Sequence, residues 1–299
     1  MSSSPSQEFA SAFGPSFIGM VISWMFFGCT IAQVLYYFSN YSQDRIQVKA
    51  FVSFLFTLEI VKMIATCNTL WYGVVLNRDN ILTALAWMPS ADVVWVISTL
   101  TTICVQWYYI RDIWLLLKRK RSWIRMLLTI TAATLTMVTL AANAAFVYEI
   151  YVPSQDSTAW DAASIHSSLH IPGALQASTE LVTNILIISS LIFILRGAKS
   201  GVRTTDNMIS RLNTFLFSRA LLLLVLQLVD ILLNMTDGEL GDIRSTVLYY
   251  PSSTINMNTT LALLNGRRRI REGSEAVEVY LSPTALTHDL KPLATASHN

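Results

Sequence analysis

The residues of this chain that are able to do chemistry sit where water should not reach. Glu59 and Lys62 lie near the middle of a long apolar run, Ala50 to Val75. A spacing of three puts them on one helical face. There a carboxylate and an ammonium neutralise each other and lower the cost of entering lipid, or form part of a polar cavity or a switchable ion pair. Arg111 with Asp112, Glu180, Arg219 and Asp230 also fall inside apolar runs. A charge at bilayer depth costs about 2.5–3.5 kcal/mol on insertion scales, so each is a functional candidate by default. Arg111 and Arg219 are expected to snorkel toward headgroups. Glu59, Lys62, Arg111, Arg219 and Asp230 together make a candidate intramembrane polar site. Gln33, Gln106, Asn143, Asn184 and Gln227 read as interhelical bridges worth about 0.6 kcal/mol each.

Other chemistry is thinly represented. His166 and His170 are four apart and would share one helical face. Two imidazoles without a third ligand make only a weak metal candidate. His288 and His298 fall in the tail, on the other side of the membrane, and four His are too few for a multi-histidine di-iron enzyme. No Gly-rich phosphate loop, nucleophile elbow or Cys–His pair is present. The seventh apolar run holds no Lys, so a retinal Schiff base has no place to form. We expect no catalytic residue and no cofactor. Cys29, Cys67 and Cys104 each sit within an apolar run and read as small buried hydrophobes.

The elements that must carry these residues follow from composition. Charged residues are 13% of the 299 and hydrophobic residues 53%, against roughly a quarter charged in soluble domains. Disorder is excluded, and a soluble globule would lack the polar side chains to cover itself. The net charge of +2 gives no reason to expect nucleic-acid binding. Eight Trp, eleven Tyr and thirteen Phe suit two membrane interfaces.

About 20 apolar residues cross a bilayer as a helix, and continuous rather than alternating runs favour helices over a barrel. Seven such runs occur, at 15–38, 50–75, 91–117, 123–148, 174–195, 212–234 and 246–265. The expected fold is an all-α bundle of seven transmembrane helices over residues 14–271, with a short N-terminal segment, 1–13, and a disordered tail, 272–299. The first run is too long for the core of a cleaved signal peptide and reads as a retained span. The seventh is the most polar, with Ser252, Ser253, Thr254, Asn256, Asn258, Thr259 and Thr260. It suits the inside of a bundle better than lipid. Pro251 within it predicts a kink or a shortened start.

Basic residues set the orientation. One side holds Arg45, Lys49, Lys118, Arg119, Lys120, Arg121, Arg125, Arg196, Lys199, Arg203, Arg211, Arg267, Arg268, Arg269, Arg271 and Lys291. The other holds Arg78 and Arg244 only. Basic flanks stay cytoplasmic, so the N-terminus is expected outside and the C-terminus inside. The cluster Arg267, Arg268, Arg269 and Arg271 reads as a stop-transfer anchor at the membrane surface that attracts anionic inner-leaflet lipid. The inner connections are a candidate contact for a cytoplasmic protein. The outer stretch from Glu149 to Gly173 is acidic and long enough to act as a lid, with Trp160 as an interfacial anchor. Residues 81–87, ILTALAW, could form a short surface helix. Span lengths permit plasma membrane or endomembrane.

Three stretches resemble a family of seven-helix membrane proteins from mushroom-forming fungi, catalogued as a domain of unknown function. The end of span seven, NTTLALLNGRRRIR, is similar to that family's Asn-Ser-Leu-Leu-Ala-Ser-Leu-Asn-Ala-Arg signature. Asn258, Leu261, Ala262, Leu264, Asn265 and Arg267 stand in register. QWYYIRDIW, from Gln106 to Trp114, is similar to its Gln-x-Phe-Tyr-x-x-Arg stretch closing span three, and Gln33, Tyr36, Asp44 and Lys49, at the end of span one, match its spacing. The chain departs at Glu59 and Lys62, where an Asp-Thr-x-His pattern is common in the family, and at Ser218 and Arg219, where Gly-Leu is. The resemblance covers roughly residues 14–271 and implies topology and a fungal origin, with no established activity. Seven helices with basic inner loops favour a receptor-like or sensory protein. The intramembrane charges make a transporter or channel the alternative.

Overall fold

The structure is a computed structural model that describes residues 5–76, 89–117, 122–155, 162–196, 203–236 and 246–281. Seven helices carry almost all of them, and no strand occurs among the described residues. They are α1 (Pro5–Asn40), α2 (Ile46–Leu70), α3 (Pro89–Leu116), α4 (Ser122–Gln155), α5 (Ala162–Arg196), α6 (Arg203–Thr236) and α7 (Thr246–Leu281). A π-helical turn, Trp71–Leu76, extends α2. The runs are helical because they are continuously apolar, and in lipid each backbone amide must bond within its own segment. Pro15, Pro172 and Pro251 nevertheless fall inside helices. Each removes one backbone donor.

Six helical stretches are long and apolar enough to cross a membrane: Phe13–Asn40, Ile46–Leu76, Ser90–Leu116, Ser122–Tyr148, Pro172–Arg196 and Ile209–Leu233. Large apolar side chains cover their outward faces, Met25 at 70% exposure and Phe193 at 78%, which is the surface a lipid-facing bundle needs. α7 is different. Seven of the eight residues from Ser253 to Thr260 are buried. It packs most extensively on α1 and also on α6 and α3.

Side-chain bonds fix the helix directions. Thr69 donates to Ser90 at 2.9 Å, joining the end of α2 to the start of α3, and Arg111 donates to Gln47 at 3.1 Å at their opposite ends. Thr139 and Thr179 lie 3.1 Å apart across an antiparallel α4–α5 pair. α1 and α7 run parallel, with Ser16 3.0 Å from Thr246 near one end and Asp44 2.6 Å from Arg267 at the other. The main apolar core lies toward the Asp44 end, around Tyr37, Leu55, Tyr109, Ile113, Leu191 and Leu261. A smaller one, Met20, Ala65, Val94 and Tyr250, lies toward the Thr246 end.

Several helices outrun the expected spans. The stretch from Glu149 to Gly173 is largely helix rather than a long lid, since α4 runs to Gln155 and α5 starts at Ala162. The tail, expected to be disordered from residue 272, continues α7 to Leu281. Apolar windows mark what lipid requires, whereas helical bonding continues as long as no residue stops it. Cys29 and Cys67 are exposed rather than buried, and only Cys104 is partly covered. The segment 81–87 and Trp160 lie outside the described residues.

Close approach of α1 and α7 depends on Gly19. A Cβ there would sit 2.6 Å from the Thr246 carbonyl oxygen and 2.9 Å from that of Val247. Gly28, on the same helix, has nothing within 4 Å. Gly19→Ala should therefore cost about 1–3 kcal/mol by forcing two backbones apart. Gly28→Ala should leave stability unchanged or raise it by up to about 1 kcal/mol through helix propensity. Thermal unfolding of the two purified variants in detergent checks this, and equal midpoints would contradict the packing.

Candidate functional site

One helical turn separates Glu59 from Lys62 on α2, and the face they share points at α7. Both side chains are fully buried, with Nζ 3.3 Å from Glu59 Oε1. The ammonium also donates to Ser253 Oγ and Thr254 Oγ1, each at 2.7 Å. Its three N–H donors are thus all used. The Thr254 hydroxyl donates to Glu59 Oε1. Ser23 of α1 closes the knot, 3.2 Å from Thr254 Oγ1 and donating to the Tyr250 carbonyl at 3.2 Å. Glu59 Oε2 is enclosed and has no hydrogen-bond partner among the described residues. Two opposite charges from α2 are thereby locked into hydroxyls of α7. Breaking such a pair leaves an uncompensated charge in a low dielectric.

Arg219 of α6 reaches α7 roughly one to two turns further along. Nε donates to Thr259 Oγ1 at 3.0 Å, and Nη2 to Asn256 Oδ1 at 2.9 Å and Thr260 Oγ1 at 3.2 Å. The guanidinium lies over the Tyr109 ring, 4.2 Å from its centroid. Tyr109 in turn donates to Thr260 at 3.4 Å. Arg219 is 6% exposed, so it does not snorkel. Neutral oxygens and a π face take the place of headgroups.

The column continues along the α1–α7 seam. Thr30 donates to Asn258 Oδ1 at 2.9 Å, and Asn258 and Asn265 donate to the Phe26 and Gln33 carbonyls at 2.8 and 2.9 Å. At the far end Asp44 accepts from Arg267 at 2.6 Å and from Tyr37 at 2.9 Å. Tyr41 stacks on Tyr37 and lies under the Arg267 guanidinium. Half-burial disfavours the Arg267 charge. Its bond and Coulomb attraction to Asp44 outweigh that and hold its pKa above the ordinary arginine value.

The remaining sequence candidates are dispersed. Arg111 is exposed near Gln47, away from the column. Asp230 lies toward the Thr246 end, where it and Glu180 are within electrostatic reach of Tyr249. Glu180 accepts from Gln227 at 3.0 Å. Three of the expected bridges form: Gln106 to Asn184, Asn143 to Gln176, and Gln227 to Glu180. Trp95 stacks on Tyr249 at 3.7 Å and on Phe146 at 4.3 Å. The side chains of His166, His170, Arg268, Arg269 and Arg271 lie outside the described residues. No group of three metal-ligating side chains occurs among the described ones.

The polar partners on α1 escape a reading based on charge. The signal was present as spacing: Ser16, Ser23, Thr30 and Tyr37 of α1 recur every seven residues, the repeat that keeps one face turned toward a parallel neighbour, and Asp44 continues the count in the turn beyond the helix. Fold and site together define an all-α protein of membrane-spanning character, with six apolar helices and a polar seventh among the described residues. Comparison with family models, curated proteins and solved structures found no match.

The knot makes a testable energetic claim. Lys62→Met strands the Glu59 carboxylate and should cost about 3–5 kcal/mol. Adding Glu59→Gln removes the stranded charge and should recover at least about 1 kcal/mol of that loss. A double-mutant cycle on chemical unfolding in micelles measures the coupling. Strictly additive penalties would show that the two charges do not depend on each other.

Proposed function

We propose that the chain is a seven-helix, receptor-like sensor in a plasma membrane or endomembrane, with its N-terminus outside and its C-terminus in the cytoplasm. The observation that carries this reading is the convergence of buried charges from two helices on the polar side chains of a third, α7. Glu59, Lys62 and Arg219 come from two different helices, and all of them bond to α7. A packed polar column has few intermediate arrangements, because a half-broken network leaves charges unpaired. It therefore suits a two-state element, biased at the Trp95–Tyr249 end and read out at the Asp44–Arg267 end. The distribution of Lys and Arg supports the orientation, and the same side would meet anionic lipid at Arg267–Arg271 and a cytoplasmic protein at its connections.

The same geometry engages residues of the fungal family resemblance. Asn258, Asn265, Arg267 and Asp44, four of the residues that carry it, are those that clamp α1 to α7. One observation favours the transporter alternative. The enclosed and unpartnered Glu59 Oε2 is the kind of oxygen that a proton or cation site would use. The reading assigns no catalytic residue.

A proximity-labelling enzyme fused to the C-terminus in native cells tests the sensor. A set of labelled cytoplasmic proteins is expected, and it should change when Lys62→Met perturbs the column. A labelled set that is identical in wild type and variant would count against it. Proton or cation flux in liposomes that requires Glu59 would favour the transporter.

A further inference from the structure

The Arg219 guanidinium has five N–H donors. Three are used: one on Nε toward Thr259, and two on Nη2 toward Asn256 and Thr260. The two on Nη1 meet no acceptor among the described residues, and no carboxylate pairs with the group there. Among the described residues its positive charge is met by neutral oxygens and by the Tyr109 ring, which covers one face.

A second buried donor stands beside it. Asn256 is 3% exposed, and its Nδ2 is enclosed without a hydrogen-bond partner among the described residues. Its Oδ1 is the atom that accepts from Arg219 Nη2 at 2.9 Å. The unpartnered amide N–H groups therefore belong to the same small planar group that touches the guanidinium. An uncompensated cation and an unsatisfied donor at one point in the interior are two separate costs. A single negative ligand would remove both.

We propose that Arg219 and Asn256 form a buried site for a small monoanion, a halide or the carboxylate group of a small molecule. One guanidinium balances one charge, so a dianion would be left in excess. The ligand enters in the guanidinium plane at Nη1, because the free N–H donors lie in that plane and the Tyr109 ring occupies one face. Asn256 Nδ2 supplies the second contact, and Thr259 and Thr260 fix the arginine by taking its other donors. This site does not depend on the sensor reading, since it needs only the buried guanidinium and its neighbours.

Full-length protein purified in detergent tests the site at constant ionic strength, with a bulky sulfonate as the background anion. The thermal midpoint is measured while chloride, or separately formate, replaces the sulfonate up to about 150 mM. The wild type is expected to gain a saturating rise of a few degrees. A rise with chloride alone identifies a halide site, and one with formate alone a carboxylate site. Arg219→Gln should lose the rise, and its midpoint in sulfonate should equal or exceed that of the wild type. Asn256→Asp places a carboxylate of the chain's own beside the guanidinium. It too should be insensitive to added anion. A flat wild-type response to both anions would overturn the proposal, as would an equal rise in wild type and Arg219→Gln.

Discussion

The ammonium of Lys62 organises this molecule. It has no exposure, so every bond it needs must come from the protein. Glu59 supplies the countercharge, but a carboxylate and an ammonium one turn apart still leave donors and lone pairs over. Only a polar neighbour can take them up: Ser253 and Thr254 take the ammonium's two remaining donors, and Thr254 also donates to Glu59 Oε1. A helix that carries such residues is poorly suited to lipid, and α7 is accordingly enclosed by α1, α3 and α6. The charge on α2 and the placement of α7 are one constraint viewed from two sides.

The rest of the packing follows from holding α7 inside. Its small hydroxyls and the bare Cα of Gly19 let α1 approach closely, and the seven-residue spacing of polar groups on α1 keeps them facing it. Arg219 and Tyr109 fill the next level with a cation–π contact and hydroxyl bonds. The apolar cores lie toward its two ends. Polar groups here do not replace hydrophobic packing. They set which helix sits in the centre and in what register.

Much of this could be read from the residues. The helical class, the six apolar spans, the polarity of the seventh and the placing of Glu59 and Lys62 on one face all come from the length of runs and the 3.6-residue period. The joining of Glu59, Lys62 and Arg219 through one helix did not emerge, because a sequence shows which residues are polar but not which neighbour each faces. Arg219 shows the difficulty. Its place about two turns inside a span suits snorkelling equally well, and only the tertiary position of Asn256 and Thr259 turns it inward. The extra helix in α4, α5 and α7 was missed for a different reason: hydropathy ends where lipid ends, whereas a helix ends where its caps are.

Disulfide mapping tests the central claim most directly, namely that α7 lies parallel to α1 in this register within the bundle. In a chain with Cys29, Cys67 and Cys104 changed to Ser, cysteine pairs would be placed at Ser16 with Thr246 and at Thr30 with Asn258, then oxidised in native membranes. The account predicts efficient bond formation at both pairs and none between Ser16 and Asn258, which lie about three turns, roughly 18 Å, apart along the axis. Crosslinking of Ser16 to Asn258, or failure at both matched pairs in folded protein, would contradict it.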